Sequence, residues 1–134
     1  MGTLLDANAV LRYLLEDNQE QADLAAGAVL EGAEVTVEVL VECVYVLEGV
    51  YHAKRSEIAE ALGLLLDEVF CHRKSVACAA LGYYSGSTFD FVDCVLAAEV
   101  DLERRRVITF DKKLNGLFRR VGELRLQDAA GLTR

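Results

Sequence analysis

Residues 3–18 read "TLLDANAVLRYLLEDN". A short apolar run stops at Asp6, and Val10, Leu11, Leu14 and Leu15 then recur at helical spacing. The stretch predicts a buried strand that turns sharply into a helix. Asp6 or Asn8 at that junction suits an N-cap, where a side-chain oxygen accepts from the open amides of the first turn. An acid at the end of a buried strand also suits chemistry, and the choice depends on whether other carboxylates converge on it.

Outward from this stretch, "NQEQADLAAGAVLEGA" (18–33) carries alanine and leucine at helical spacing, with Gly32 as a stop. "EVTV" (34–37) is a short β-branched strand. Thr36 is placed to cap the next helix, "EVLVECVYVLEGVY" (38–51). That helix is apolar on nearly all sides except a narrow stripe through Glu38, Glu42 and Tyr45, so it is expected to be buried. "RSEIAEALGLLLDEV" (55–69) starts with Ser56 as cap and sets Ile58, Leu62, Leu65, Leu66 and Val69 on one face. "FCHR" (70–73) reads as a strand, "KSVACAALGYYSG" (74–86) as a helix closed by glycine, and "FDFVDCVLAAEVDLERR" (89–105) as a long helix. "RVITF" (106–110) is a strand, "KKLNGLF" (112–118) a short helix and "GELRL" (122–126) a last strand. Strands alternating with helices imply parallel pairing through crossover helices, hence an α/β fold. In open sheets of that kind ligands bind beyond the carboxyl ends of the strands.

The chain has 134 residues, 53% of them hydrophobic and 27% charged, which suits one globular domain. It has no proline and no repeat or low-complexity tract to mark a boundary. No apolar stretch approaches a membrane span and no signal-peptide pattern opens the chain, so a cytoplasmic location is expected. Cys43, Cys71, Cys78 and Cys94 form no CxxC pair, and His52 and His72 lie in no metal motif. Buried thiols and incidental histidines are the expectation. The net charge of −8 is unevenly spread. Residues 1–100 hold 5 Lys/Arg against 17 Asp/Glu, a net of −12, and residues 101–134 hold 9 against 5, a net of +4. The basic groups gather in "ERRRVITFDKKLNGLFRR", which is either a solvated face or a phosphate-binding one.

Asp6 follows "TLL" and Asp111 follows "RVITF", which puts both on the rim at the carboxyl ends of parallel strands. Asp93 lies on the helix face that carries Ala97 and Val100, and Glu42 sits mid-way along the most apolar helix. Neither has a basic residue at i±3 or i±4, and a buried, unpaired carboxylate is expensive. Four acids held together repel one another, and a divalent cation resolves the conflict. Carboxylates with retained waters suit Mg²⁺ or Mn²⁺, and phosphodiester hydrolysis is the natural reaction. The competing reading makes Asp6 and Asp111 caps, Asp93 a first-turn acid favoured by the helix dipole, and Glu42 part of a solvated stripe.

"LLDANAVLRYLLEDN", "VTVEVLVECVYVLEGVY", "FDFVDCVLAAEV" and "RVITFDKKL", in this order and spacing, resemble a PIN-domain ribonuclease of the VapC toxin type. The resemblance implies a three-layer α/β/α domain over residues 1–134, with a parallel sheet of about five strands between helices. It assigns Asp6, Glu42, Asp93 and Asp111 as catalytic residues. Asp6, Asp93 and Asp111 would be direct or water-bridged ligands of Mg²⁺ or Mn²⁺, and Glu42 would orient or deprotonate the attacking water. Asn8 matches the residue supporting the first aspartate and Thr109 the hydroxyl before the last. Ala7 departs from the usual threonine or serine. A homodimer and a VapB-type antitoxin are implied as partners, with RNA as substrate. Asp90 is either a cap or a fifth acid. Arg12, Lys112, Lys113, Arg119 and Arg120 are candidate contacts to RNA phosphates. Two other classes are weighed: a phospho-receiver domain, which the embedded position of Glu42 fits poorly, and a PIN-fold binding module without catalysis, against which all four acids stand.

Overall fold

The computed structural model describes residues 2–132, with side chains described through Glu123. The chain divides into two compact units, Met1–Lys74 and Ser75–Arg134. The first holds α1 (Ala7–Leu15), α2 (Gln19–Leu30), α3 (Val37–Gly49) and α4 (Arg55–Glu68). The second holds α5 (Lys74–Ser85, whose first residue ends the first unit), α6 (Phe91–Leu102) and α7 (Lys112–Leu132).

In the first unit the helix starts are decided locally. Asp6 Oδ1 accepts from Ala9 N at 2.8 Å, Asn18 Oδ1 from Gln21 N at 3.1 Å and Thr36 Oγ1 from Val39 N at 3.2 Å. The α4 start differs from expectation: Ser56 lies inside the helix, and Glu57 instead accepts from Lys54 N at 2.9 Å. After α2 the chain turns at Gly32, whose φ of +90° is open to glycine and strained for other residues. Helix α1 packs on α2 and α3, and α3 on α4. The expected face of α4 is inside, with Ile58, Leu62, Leu65, Leu66 and Val69 all buried.

The expected sheet is not formed. Among the described residues there is no strand; two isolated parallel bridges, Leu4 with Glu34 and Glu34 with Phe70, stand where three strands were expected. Each bridge has two hydrogen bonds. Leu5 N donates to Glu34 O and Glu34 N to Thr3 O, at 2.9 and 2.8 Å; Val35 N donates to Phe70 O and Phe70 N to Ala33 O, at 2.9 and 3.0 Å. The α/β class with a parallel sheet of about five strands is therefore corrected to a helical fold. Thr36 and Val37 of "EVTV" are taken by the cap and first turn of α3, which shortens that segment to its bridge. The segment "GELRL" continues α7, since it contains no proline and its Glu, Leu and Arg are strong helix formers. "RVITF" has no strand partner among the described residues, and parallel pairing repays its closure only through non-local contacts.

The second unit is built on a cluster of Ala97, Leu114, Leu117 and Val121, with Tyr83, Phe89, Leu96 and Phe118 packed against it. Tyr84 and Phe91, both fully buried, meet edge to face with ring centroids 5.8 Å apart. Cys43, Cys71 and Cys94 are buried thiols and Cys78 is exposed, while both histidines lie at the surface. No helix among the described residues is long and apolar enough to cross a membrane.

Candidate active site

The predicted acids fall into two pairs, one in each unit. In the first, Asp6 is exposed at the N-terminus of α1 and Glu42 is exposed on α3. The expectation of a buried Glu42 is corrected. Helix α3 turns Val37, Leu40, Cys43, Val44 and Leu47 inward, which leaves the stripe of Glu38, Glu42 and Tyr45 in water. Asp6 and Glu42 nonetheless act on one atom. The Cys43 thiol, 3.9 Å from the Ala7 carbonyl, is pushed up to about 12 by burial first and then by the charges of Glu42 and Asp6.

In the second unit Asp93 is half-buried in the first turn of α6. Burial, and then the charges of Asp90 and Asp111, hold its carboxyl above its ordinary value. Both act against the benefit that a helix N-terminus offers an acid. Asp90 occupies the N-cap position of α6 but its side chain makes no capping bond, so it acts on Asp93 as charge. Asp111 caps α7: its Oδ1 accepts from Lys113 N at 2.9 Å and Leu114 N at 3.2 Å. Thr109 supports it as expected, with Oγ1 accepting from Asp111 N at 3.1 Å. Asn115, which no motif singled out, ties the same turn by donating from Nδ2 to Thr109 O at 3.2 Å. Its spacing to a Thr-x-Asp turn was the signal available. Capping and ligation are compatible here, because Asp6 and Asp111 each cap through Oδ1, and Oδ2 makes no hydrogen bond among the described residues.

Asn8 is exposed on α1 and lines, with Asp6, Arg12, Gln21 and Leu24, a cleft of about 290 Å³ between α1 and α2. Arg12 is already engaged. Its Nη1 lies 2.8 Å from Asp17 Oδ1 and its Nη2 donates to the Tyr51 hydroxyl at 3.2 Å. Lys112, Lys113, Arg119 and Arg120 are exposed and form no ion pair among the described residues.

A family profile covers most of the chain. The PIN domain matches residues 3–124, a span that contains Asp6, Glu42, Asp93 and Asp111. The chain belongs to the PIN-domain family. PIN domains are in general nucleases, and they typically use a divalent metal. Neither a curated protein nor a solved structure is significantly similar to this chain.

Among the described residues of this PIN domain, no three of His, Cys, Asp and Glu are arranged to hold a metal ion. The donor set still fits a hard cation: every candidate is a carboxylate oxygen, and Mg²⁺ commonly uses one or two carboxylates and keeps several waters. The crowding at Asp93 gives a stability prediction. A carboxyl raised in the folded state contributes stability below its unfolded pKa and loses it as pH rises through the folded one. Asp93→Asn is therefore expected to raise the melting temperature of the metal-free protein at neutral pH. The gain should shrink as pH falls through the carboxylate range. Thermal melts across pH measure this, and a variant less stable than wild type at neutral pH would show that the helix dipole dominates.

Proposed function

We propose that this PIN domain is a divalent-metal-dependent endoribonuclease that hydrolyses RNA phosphodiester bonds, the toxin of a VapBC-type pair. The observation that carries the reading is the PIN-domain match over residues 3–124 with all four acids in place. Asp6, Asp93 and Asp111 would hold Mg²⁺ or Mn²⁺, and Glu42 would orient or deprotonate the attacking water. Bound there, the cation would supply positive charge for a scissile phosphate. The upward shift at Asp93 supports this reading, since burial and the charges of Asp90 and Asp111 make its surroundings ones that a cation would relieve. Asn8 and Thr109 would steady the two aspartates at the helix starts. A cytoplasmic location, a homodimer and a VapB-type antitoxin belong to the same proposal, and a small protein with a DNA-binding head encoded next to this chain would support the last.

The test is an RNA cleavage assay with purified protein. Cleavage is expected with Mg²⁺ or Mn²⁺ and none with chelator. Absence of cleavage in metal, or cleavage indifferent to chelator, overturns the proposal.

The exposed cations give a separate expectation. Neutralising Lys112 and Lys113 together should weaken RNA binding and lower the slope of log affinity against log salt by up to about 1.4, at ~0.7 for each single-strand phosphate left without its lysine. Titrations at several salt concentrations measure it. An unchanged slope returns both lysines to a solvated face.

A further inference from the structure

Between α6 and α7 the basic tract leaves helix, and residues 104–110 form neither helix nor strand. Exposure alternates over its last part, residues 106–110. Arg106, Ile108 and Phe110 are exposed, Ile108 by 87% and Phe110 by 96%, while Val107 and Thr109 are half-buried; Arg104 and Arg105 before them are both exposed. A period of two is that of extended chain, so Arg106, Ile108 and Phe110 share one face, while Arg104, at a left-handed φ of +53°, lies before the extended run. The C-terminal end of the segment is held in place. Thr109 accepts Asn115 Nδ2 on its carbonyl and Asp111 N on its hydroxyl, so Phe110 is anchored on both flanks while its ring stands in water. Arg104 and Arg106 precede the two apolar groups and Lys112 and Lys113 follow them.

We infer that residues 104–113 bind unpaired RNA nucleotides, with the Phe110 ring as the surface on which a base stacks and the flanking Arg104, Arg106, Lys112 and Lys113 on the phosphates. A basic track interleaved with an exposed aromatic is what single strands require, because every base offers a π-face and every link a negative charge. A base paired within a duplex keeps both faces covered by its neighbours and cannot stack on Phe110. An extended acidic peptide would also meet the charge, but strand addition draws on backbone groups. At the C-terminal end two of these, Thr109 O and Asp111 N, are already used. The inference rests on the nuclease reading, since Phe110 adjoins Asp111 and would settle a nucleotide beside that carboxylate.

The chain has no tryptophan, so Phe110→Trp is a single reporter at this place. In chelator, where binding is read without cleavage, the free variant is expected to show the emission of a solvent-exposed indole. A single-stranded oligoadenylate should quench it, and an RNA duplex of equal length or polyglutamate should not. Phe110→Ala should bind the oligoadenylate about 5- to 100-fold more weakly, with duplex binding unchanged, and Phe110→Tyr should restore affinity. Equal affinity in Phe110→Ala and wild type, or quenching by polyglutamate alone, overturns the inference. Expected binding in chelator with no cleavage in Mg²⁺ supports the inference and fails the nuclease reading. Cleavage in Mg²⁺ with an indifferent Phe110→Ala fails the inference alone.

Discussion

Asp93→Asn is expected to lower metal-dependent RNA cleavage by on the order of 10²- to 10³-fold, the scale on which removal of one transition-state-stabilising group acts. Asn has nearly the volume of Asp and keeps a hydrogen-bonding oxygen, so helix α6 should form as before. What disappears is a negative charge, in a place where burial and the charges of Asp90 and Asp111 already oppose it. The same substitution should therefore raise metal-free stability at neutral pH while removing activity. A group retained against stability is the signature of a functional site. Added Mg²⁺ or Mn²⁺ should raise the melting temperature of wild type by mass action and that of the variant much less. Single-turnover cleavage and melts with and without metal are the measurements. A variant that cleaves like wild type would remove Asp93 from the chemistry.

Phe91→Ala, two residues earlier on the same helix, should act in the opposite way. Phe91 is 1% exposed and meets Tyr84 edge to face at 5.8 Å. Its truncation opens a cavity in the second unit and removes an aromatic pair, so a loss of about 3–5 kcal/mol is expected. Phe91→Leu keeps more of the volume and should cost distinctly less than Phe91→Ala. Denaturant unfolding of the three proteins measures the series, and any loss of cleavage should follow the fraction folded. By contrast Phe110→Ala, at a side chain 96% exposed, should shift stability by no more than ~0.5 kcal/mol. If Phe91→Ala were as mild as Phe110→Ala, the aromatic pair would not be part of the core.

Much of the helical frame was legible because it is settled within a few residues. The caps at Asp6 and Thr36, the stop at Gly32 and the inward face of α4 each depend on neighbours three or four positions away. The family was legible for a related reason: four acidic motifs in one order are a property of the chain, and the PIN-domain match spans them. Ser56 does not cap α4 because the helix already begins at Arg55, with Lys54 in the cap position and its amide donating to Glu57.

By itself, then, the sequence determined which segments are helical by cap and period, which family the chain joins, and which acids are candidates for chemistry. Only the tertiary structure decided the rest. An extended segment becomes a strand only if a distant partner supplies its hydrogen bonds, and "RVITF" has none among the described residues while "TLL", "EVTV" and "FCHR" retain isolated bridges. A helical stripe of Glu38, Glu42 and Tyr45 is the same on paper whether it meets a neighbour or water, and packing on the opposite face placed it in water. Like charges also carry no record in the sequence of how near they come. Asp111 lies 18 residues beyond Asp93, and it is folding that brings its charge, with that of nearby Asp90, to bear on the half-buried Asp93 carboxyl.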